Sequence, residues 1–354
     1  MLGFALVGCG RIARKHAGIL AGGQVAGARL AAVCDCDFAR ARFFGETYGV
    51  PAFSSAEAML EAEGRHIDVL SILTPSGSHA RHAIELAPHG KHLVVEKPMA
   101  LTLDDADAMI RACDIAGVKL FVVKQNRFNP PVVRLREAFE AGRFGKLVMG
   151  SVRVRWRRDQ AYYDQDDWRG TWAQDGGVFA NQASHHIDLL EWFLGEPESV
   201  YAMARTALVD IETEDTGVAL IRFGNGAIGV VEATTATRPK DLEGSLSILG
   251  ETGSVEIGGF AVNEIRTWQF VDSRPEDQAA AEATRTNPPD VYGFGHTAYL
   301  NDVVNCIRTG GKALVDGLEG RKSLELISAI YESVATGREI GLRFRARRNR
   351  LGIG

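Results

Sequence analysis

A glycine-rich turn near the N-terminus, "VGCGRIARKH", constrains the fold more than any other segment of this chain. It follows the apolar run "FALVG" and places Gly8, Gly10 and Ala13 in the pattern G-x-G-x-x-A at the start of a helical pattern. Gly8 permits a tight turn, Gly10 lets a pyrophosphate approach the backbone, and Ala13 allows close helix packing, while the helix N-terminus offers amide donors. The turn predicts a strand, turn and helix that bind a dinucleotide.

The first 125 residues repeat this order of short apolar runs and longer amphipathic segments. Five runs are strand-like: "FALVG", "LAAVCD", "DVLSILTP", "HLVVEKP" and "KLFVVKQN". Strands that alternate with helices form βαβ units and a parallel sheet. We therefore predict an α/β fold whose N-terminal Rossmann domain covers residues 1–125 and binds the cofactor.

From about Lys146 the pattern changes to longer β-rich segments. These segments cover residues 147–158, 198–209, 215–223, 226–236, 242–250 and 253–257. They predict a C-terminal α+β domain over residues 126–354, with a large, mostly antiparallel open sheet. Two helical patterns at about 294–309 and 317–336 are expected to pack against the body of the molecule. Because no Gly/Ser-rich tether lies near residue 125, we expect the domains to be tightly docked.

Composition limits the partners of the chain. A formal net charge of −5 excludes a strongly basic nucleic-acid surface. The apolar N-terminus reaches glycine and arginine too soon for a signal peptide or a membrane span. The five cysteines are odd in number and lack the spacing of zinc ligands or of a disulfide framework. We expect a cytoplasmic protein that binds no metal, no nucleic acid and no membrane.

A carboxylate and a lysine refine the cofactor prediction. Asp35 ends the second strand-like run, where it can accept hydrogen bonds from an adenosine ribose and would repel a 2′-phosphate. NAD is therefore favoured, while Arg40 and Arg42 keep NADP open. Lys97, restrained by Pro98, lies at the end of the run "HLVVEKP" and can project toward a nicotinamide. The predicted cofactor contacts are Gly8, Gly10, Arg11, Ile12, Asp35, Thr74, Pro75, His79, Glu96, Lys97 and Gln125.

The motifs G-x-G-x-x-A, "TPSGSH", "EKP" and "GG…N…HHID" occur in the order typical of the Gfo/Idh/MocA oxidoreductases, and nearly the whole chain resembles that family. The resemblance implies a Rossmann domain followed by an open-sheet domain that forms oligomer contacts, with a homotetramer favoured. It also implies sugar-like alcohols or carbonyls bound between the domains. Family members usually carry an aspartate where this chain has Asn181, four residues before His185. The departure removes an anion that would raise the pKa of the histidine.

A narrower resemblance lies in "VKQNRFNPPV", "WRRDQAYYDQDDWRGTW", "DGGVFANQ" and "YGFGH". These segments are similar to the UDP-N-acetylglucosaminuronate 3-dehydrogenases, the WlbA-type branch, in which Asn181 and Gln182 would be the expected pair. The resemblance implies NAD-dependent oxidation of the C3 hydroxyl of a UDP-linked N-acetylated hexuronate. It places the reaction in bacterial pathways to diacetamido uronic acid units of surface polysaccharides.

The segment "FANQASHHIDLLEW" contains the predicted proton acceptor. In one continuous helix, Asn181 and His185 share a face, Asp188 lies beneath them, and His186 is rotated by about 100°. The two histidines then diverge, which disfavours a metal site. We predict that His185 takes the hydroxyl proton and that Lys97 donates to the same oxygen, while Asn181 positions the ring or the substrate and His186 packs in the structure.

The substrate side is marked by arginines and aromatic residues. "SVRVRWRRD" places Arg153, Arg155 and Arg157 on one strand face, predicted to be cationic, and Arg155 is our choice for a carboxylate or diphosphate. A solvated face or a subunit contact is the alternative. Tyr163 and Arg169 are predicted to bind a sugar or uracil and an anionic group, with core packing as the alternative for the aromatic ring. The predicted hydrogen-bond partners of sugar hydroxyls are Gln182 and Asn126.

Three other functions stay open at this point. One is NAD(P)-dependent oxidation of a free sugar, an inositol or a sugar phosphate, and another is glycoside cleavage that begins with C3 oxidation. The third is a non-catalytic NAD(H)-binding sensor, which the presence of both Lys97 and His185 disfavours. The sequence also leaves open whether NADH is released or is reoxidised in place by a second substrate such as a 2-oxo acid.

Overall fold

The N-terminal part of the computed structural model is a parallel sheet with helices on its faces. The structure describes residues 1–275, 277 and 293–342. The six strands lie in the order β3-β2-β1-β4-β5-β6, and every neighbouring pair is parallel. The strands are β1 (Leu2–Val7), β2 (Ala28–Cys34), β3 (Ala52–Phe53), β4 (Val69–Ile72), β5 (His92–Val95) and β6 (Leu120–Val122). The helices between them are α1 (Arg11–Ala21), α2 (Phe38–Tyr48), α3 (Ala56–Glu63), α4 (His79–Leu86) and α5 (Leu103–Ile115).

The second sheet has eight strands in the order β13-β12-β11-β7-β10-β9-β8-β14. Its strands are β7 (Leu147–Arg155), β8 (Pro197–Arg205), β9 (Thr216–Phe223), β10 (Ile228–Thr234), β11 (Glu243–Gly250), β12 (Gly253–Gly258), β13 (Glu264–Phe270) and β14 (Ile340–Gly341). All neighbours are antiparallel except β7 and β10, which are parallel. The predicted fold class is therefore confirmed, and all six predicted strand segments are strands.

Helices cover one face of the second sheet and join it to the first. They are α6 (Pro130–Glu140), α7 (Gln160–Tyr163), α8 (Ser184–Leu194), α9 (Gly295–Thr309) and α10 (Gly317–Thr336). Helix α8 buries Ile187 and Leu190 in one core with Val152 and Val154 of β7. Helix α9 packs into the N-terminal core through Tyr299, Leu300 and Val303, and α10 contributes apolar side chains to the cores of both sheets.

These packing contacts agree with tight docking, and the domain boundary at residue 125 stays a prediction. Tyr292 of the "YGFGH" segment lies outside the described residues. Among the described helices, none combines the length and the apolar character that a membrane span requires.

The carboxyl ends of the parallel strands face a segment of the second half of the chain. Gly77, just after β4, donates its amide to the carbonyl of Gln174 at 2.9 Å. Lys97, just after β5, donates its ammonium to the carbonyl of Asn181 at 2.8 Å. The loops at this sheet edge therefore contact the segment of residues 159–185. We call this junction of two walls the cleft, because it lies where open α/β sheets bind their ligands.

Candidate active site

The glycine turn has the backbone that the sequence pattern predicts. Gly8 has a φ of 101°, and a Cβ there would lie 2.9 Å from the backbone of Leu73, the residue after the neighbouring strand β4. Gly10 is the N-cap of α1, has no side-chain cap, and would place a Cβ where no other atom lies within 4 Å. The open space above Gly10 and the amides of the first turn of α1 fit a dinucleotide pyrophosphate.

Asp35 is fixed beside this turn. Its Oδ2 accepts a hydrogen bond from the Cys9 amide at 2.7 Å, and its Oδ1 accepts one from the Asp37 amide at 2.8 Å. Oδ1 also accepts the Cys36 thiol at 3.7 Å, whereas Oδ2 keeps a further lone pair, which can accept a ribose hydroxyl. Arg40 pairs with Asp37 and Arg42 pairs with Glu46, so both cations that kept NADP open are paired with carboxylates of their own segment.

The two other predicted contacts in the glycine turn are Arg11 and Ile12. Arg11 donates to Gln165 at 2.6 Å, and Ile12 packs against the N-terminal core.

The ring of His79 lies between two loops at the edge of the sheet. Its Nδ1 lies 2.8 Å from the Pro98 carbonyl and its Nε2 lies 2.8 Å from the Thr74 carbonyl. Burial lowers the pKa of His79, so the neutral ring donates its one N–H to one of these two carbonyls. The contact of His79 with the cofactor stays a prediction. Thr74, with its hydroxyl 3.1 Å from His82, and Pro75 stay predicted contacts at the mouth of the cleft.

Glu96 belongs to a buried cluster that the sequence motifs do not reveal. Its Oε1 lies 3.0 Å from Nε2 of His16 and 3.8 Å from Nε2 of His296, and its Oε2 accepts the Lys97 backbone amide at 3.1 Å. Burial raises the pKa of Glu96, but the hydrogen bonds and charges of the two histidines outweigh it and hold the pKa well below its usual value. Donor atoms of these three side chains lie within 4.8 Å of one another, close enough for a metal as well as for this hydrogen-bonded network.

Lys97 and Asn181 meet across the cleft. The Lys97 ammonium donates to the Asn181 backbone oxygen at 2.8 Å and to Oδ1 at 3.2 Å. Burial lowers the pKa of Lys97, Glu96 and Asp175 oppose that effect, and the positive charges of Lys124 and Arg169 add to it. A lysine in this setting can donate a hydrogen bond to a reacting oxygen.

Helix α8 begins later than predicted. The continuous helix expected from Phe179 starts at Ser184, so Asn181 lies in the preceding turn rather than on a helix face. The reason is that side chains distant in sequence take the backbone donors of this turn. The Tyr331 hydroxyl accepts from Gly177 at 3.0 Å, and Glu214 accepts from Phe179 at 3.0 Å.

His185, on the first turn of α8, is buried and has no partner for Nδ1 among the described residues. Burial first, and then the charges of Lys97 and Lys124, hold the pKa of His185 well below its usual value. The imidazole is therefore neutral near pH 7 and can accept a proton. His186 packs edge-on against Trp156 at 5.7 Å, and burial lowers the pKa of His186 to about 4. The predicted packing role of His186 matches this placement.

Asp188, which lies beneath His185, is paired with two cations. Arg127 donates to both of its carboxylate oxygens, at 2.8 Å and 2.9 Å, and the Lys124 ammonium lies 3.6 Å from Oδ1. A buried carboxylate that binds two cations is a structural anchor. The sequence motifs did not single out Lys124 or Arg127.

Among the buried amide side chains of the described residues, three predicted site residues have unused acceptors. Gln125, Asn126 and Gln182 are each at most 6% exposed, and the side-chain oxygen of each lacks a hydrogen-bond partner among the described residues. A buried unpaired oxygen costs about 1–3 kcal/mol unless water or a ligand satisfies it. All three are predicted site residues, and this state fits groups that await hydroxyl donors.

The arginines of β7 point to a different side of the molecule from the one that we predicted. Val152 and Val154 of β7 pack toward α8, so Arg155 points to the opposite face of the sheet, away from His185. Its guanidinium binds Glu232 at 2.5 Å and 2.7 Å and Glu243 at 3.0 Å, while Arg153 pairs with Glu256. The predicted cationic face is thus neutralised by neighbouring strands, and Arg155 does not join the cleft.

Of the two predicted residues in the 159–172 segment, Arg169 joins the cluster. Its charge acts on Lys97 and Asp175. Its Nε donates to Asp166 at 2.9 Å, and its Nη1 donates to the Tyr162 hydroxyl at 2.9 Å. Tyr163 is buried against Gly170 with its hydroxyl 3.2 Å from Thr235, and burial raises its pKa to about 12. Its neighbour Tyr162 is the tyrosine that contacts Arg169 and faces Arg11, so the packing alternative holds for Tyr163.

A Rossmann sheet whose nucleotide turn is open, combined with an ammonium and a neutral imidazole at one sheet edge, defines the class of nicotinamide-dependent dehydrogenases. The profile described as "Oxidoreductase family, NAD-binding Rossmann fold" matches residues 2–124, and the profile described as "GFO/IDH/MocA C-terminal domain" matches residues 132–256. The chain belongs to the Gfo/Idh/MocA oxidoreductase family. It is a dehydrogenase, and its cofactor is NAD.

Among the solved structures that match nearly the whole chain are two WlbA dehydrogenases. The WlbA dehydrogenase from Bordetella pertussis, in complex with NADH and UDP-GlcNAcA, is 46% identical with a TM-score of 0.90, and the match covers 97% of this chain and 98% of that one. The WlbA dehydrogenase from Chromobacterium violaceum, with the same two ligands, is 43% identical with a TM-score of 0.90, over 98% and 97% of the two chains. Among curated relatives, the D-apiose dehydrogenase of Paraburkholderia graminis is 29% identical over 96% of this chain and 89% of that protein.

Proposed function

We propose that this protein oxidises the C3 hydroxyl of a UDP-linked N-acetylated hexuronate, with UDP-GlcNAcA as the substrate to test first. The observation that carries the proposal is the match, at 46% identity and a TM-score of 0.90, to a WlbA dehydrogenase in complex with NADH and UDP-GlcNAcA. The reaction would serve the synthesis of diacetamido uronic acid units of bacterial surface polysaccharides.

The chain's own residues fit the cofactor. Gly8 and Gly10 leave the space and the amides for a pyrophosphate, Asp35 offers carboxylate acceptors for a ribose, and Lys97 and Gln125 stand at the strand ends that would face the nicotinamide. When bound, NAD supplies the hydride acceptor of the reaction.

His185 is the proposed proton acceptor because its imidazole is held neutral. It takes the proton of the C3 hydroxyl as the carbon loses its hydride, and the Lys97 ammonium donates a hydrogen bond to the same oxygen. The electrons of the O–H bond form the new C=O bond, so the sugar product is a 3-keto compound. Asn181 accepts from Lys97 and thereby orients the ammonium.

The substrate would be held by groups from both walls. Arg169 supplies a cation for the carboxylate or diphosphate, and the unpaired amide oxygens of Asn126 and Gln182 accept sugar hydroxyls. Tyr162 joins this set because it contacts Arg169 through its hydroxyl.

The test is a comparison of NAD reduction with UDP-GlcNAcA, D-apiose, inositols and levoglucosan under the same conditions. Curated relatives below 30% identity act on such free sugars and polyols, which makes this the second candidate function. We expect kcat/KM for UDP-GlcNAcA to exceed that for any free polyol by at least about 10²-fold, because the free compounds lack both anionic groups. Turnover of free polyols alone would overturn the proposal.

A second measurement excludes a non-catalytic NAD sensor. Lys97→Ala and His185→Ala are each expected to lower kcat by roughly 10²- to 10⁴-fold, because each removes a group that acts on the reacting oxygen. Binding of NAD, followed by fluorescence or calorimetry, is expected to change much less in His185→Ala than kcat does. Unchanged turnover in both variants would refute the assigned chemistry.

A further inference from the structure

The Asn181 side chain lies between a lysine and a carboxylate, and its two polar ends have different partners. Its Oδ1 accepts from the Lys97 ammonium at 3.2 Å, and its Nδ2 donates to Oδ1 of Asp175. An ammonium can only donate and a carboxylate can only accept. The order of partners therefore permits a single orientation of the amide.

Asp175 is a buried carboxylate to which none of the predicted roles applies. It is 1% exposed, and its Oδ2 accepts a hydrogen bond from the Gly170 amide at 2.8 Å. Burial raises the pKa of Asp175, whereas hydrogen bonds from Gly170 and Asn181 and the charges of Lys97 and Arg169 lower it. Burial is the larger effect, so the pKa of Asp175 lies above its usual value, and the two donors and two cations offset the burial of this anion only in part.

We propose that Asp175 is a positioning residue for the reaction. Its carboxylate holds the Asn181 amide with Oδ1 toward Lys97, and it supplies the negative charge that keeps the Lys97 side chain an ammonium beside the reacting oxygen. The inference rests on the proposed function, in which Lys97 donates to that oxygen. Asp175 acts through Asn181 and Lys97 rather than on the reacting atoms.

The charges that face Lys97 show why Asp175 matters. Glu96 and Asp175 favour the charged form, while Lys124, Arg169 and burial disfavour it. The Glu96 carboxylate is bound to His16 and to the Lys97 backbone amide. Asp175 is the carboxylate that a chain of hydrogen bonds connects to the ammonium itself. Without Asp175, Glu96 would be the one anion that opposes the charges of Lys124 and Arg169, and the pKa of Lys97 would fall further.

Asp175→Asn removes the negative charge and changes the hydrogen-bonding groups at position 175, while it keeps the volume of the side chain. The new carboxamide can use its oxygen for the Gly170 amide, but its NH2 group then points at Nδ2 of Asn181, donor against donor. If Asn181 rotates to relieve that contact, it presents its own NH2 group to the Lys97 ammonium. In either arrangement two hydrogen-bond donors face each other, so one of the original hydrogen bonds is lost.

The exchange variant, Asp175→Asn with Asn181→Asp, reverses the polarity of one hydrogen bond and preserves the rest. The carboxamide at position 175 accepts from Gly170 and donates to the carboxylate at position 181, which still accepts from Lys97. The negative charge stays in the cluster, one side chain closer to the ammonium. Asn181→Asp alone places two carboxylates in contact, which one proton must share.

The experiment measures two quantities in the full-length wild type, in these three variants and in Asp215→Asn. The first is the pH dependence of Lys97 acylation by acetic anhydride, followed by mass spectrometry. The second is kcat and KM for UDP-GlcNAcA with NAD. Asp215 is the matched control, because it is equally buried and accepts two backbone amides at 2.8 Å, yet it is absent from the charges that act on Lys97.

We expect Asp175→Asn to label Lys97 at a pH about one unit lower than wild type and to lose roughly 10- to 100-fold in kcat, with a smaller change in KM. The exchange variant should regain most of that kcat, and Asp215→Asn should shift neither quantity even if it melts earlier. An unshifted labelling midpoint in Asp175→Asn, or an exchange variant that folds and is as slow as Asp175→Asn, would overturn the proposal. A wild type that labels as expected but does not oxidise UDP-GlcNAcA would refute the substrate alone, because the labelling shift tests Asp175 without any substrate.

Discussion

The proposed chemistry requires opposite protonation states of Lys97 and His185, which lie in one buried cluster. The lysine is useful as an ammonium and the histidine as a neutral base, although burial disfavours the charged form of both. The charge of Lys97 lowers the pKa of His185, while the charges of Glu96 and Asp175 favour the ammonium form of Lys97. The cleft therefore separates the two protonation states by placing its anions beside the lysine.

This separation predicts a bell-shaped pH profile. Because the pKa of His185 lies well below 6.5, kcat/KM should keep its plateau through pH 6.5 and fall only at lower pH, when the imidazole is protonated. Because the pKa of Lys97 is below 10.5, the alkaline limb should begin before pH 10.5. Initial rates of NADH formation between pH 4.5 and 10.5 measure both limbs.

The charge of Lys124 provides the internal control for that profile. It also lowers the pKa of His185, so Lys124→Gln should move the acidic limb to higher pH without moving the alkaline limb downward. An acidic limb above pH 6.5 in the wild type would show that His185 is not the group that titrates.

Adjacent residues show what the sequence could not decide. Tyr162 and Tyr163 are identical in type and lie on α7, a helix of one turn, so no periodicity distinguishes the buried ring from the one in the cleft. Arg155 was misassigned for a different reason, because alternation along β7 shows which residues share a face but not which strands lie beside them. Glu232 and Glu243 reach it from β10 and β11.

At the level of elements, the strand and helix patterns of the sequence predicted most of the fold. The predicted strands are long apolar or alternating runs, whereas the missed strands β3 and β14 contain two residues each and have no pattern to read. The seven-residue strand β13 was missed as well, because its pairing with β12 shifts register and its apolar residues Ile265, Trp268 and Phe270 do not alternate regularly. The start of α8 was missed because its preceding turn is held by Glu214 and Tyr331, which lie 35 and 154 residues away in the chain. Local sequence carries no sign of such contacts.

The first turn of α1 allows a matched test of cofactor binding. Gly10→Ala adds a methyl group to space that no atom of the protein occupies, so the fold should persist while the pyrophosphate loses its approach. We expect the Kd for NAD to rise roughly 10- to 100-fold, about 1.4–2.8 kcal/mol. Calorimetric titration with NAD and a melting curve measure the two effects separately.

Gly18→Ala is the control within the same helix. A Cβ at Gly18 also meets nothing within 4 Å. It should stabilise the protein by about 0.4–1 kcal/mol, because alanine costs less backbone entropy than glycine in a helix, and it should leave the Kd for NAD unchanged. Equal NAD affinity in Gly10→Ala and Gly18→Ala would refute the pyrophosphate assignment.

The turn before α8 adds a pH dependence to stability. Burial raises the pKa of Glu214 to about 7, from 4.5. The folded protein therefore keeps a proton that the unfolded chain releases above pH 4.5, and the free energy of unfolding falls as pH rises toward and through 7. Glu214→Gln, which imitates the protonated acid, should gain about 2–3 kcal/mol over wild type between pH 5 and pH 8.

Urea unfolding at several pH values measures that gain. Glu212→Gln, at an exposed position two residues earlier, is the control and should follow wild type throughout. A constant difference between Glu214→Gln and wild type at pH 5 and pH 8 would mean that the carboxyl group does not titrate in this range.

The whole molecule presents one face of its second sheet to the outside. The inner face is covered by α8 and shares its core, but the outer face carries exposed apolar side chains on neighbouring strands. Tyr201 lies opposite Leu220, and Met203 lies opposite Val218, so these four residues form one apolar patch, while the arginines of β7 on the same face are paired with glutamates. Clustered exposed apolar residues mark interfaces between proteins. We propose that the patch contacts a second copy of this chain in a homo-oligomer, with a tetramer favoured.

Two charges on this patch should dissociate the assembly without unfolding the subunit. Met203 and Leu220 are 62% and 56% exposed, so Met203→Glu with Leu220→Glu removes little buried surface within one chain and places four or more like charges in each symmetric contact. Light scattering after size exclusion should report a mass several times 38.4 kDa for wild type and a smaller species for the double variant. Ile115→Glu, at an 88% exposed apolar position on α5 of the other domain, should keep the mass of the wild type. A monomeric wild type at micromolar concentration, or a double variant of unchanged mass, would refute this interface, and it would leave the cleft chemistry intact because Lys97, Asn181 and His185 all belong to one chain.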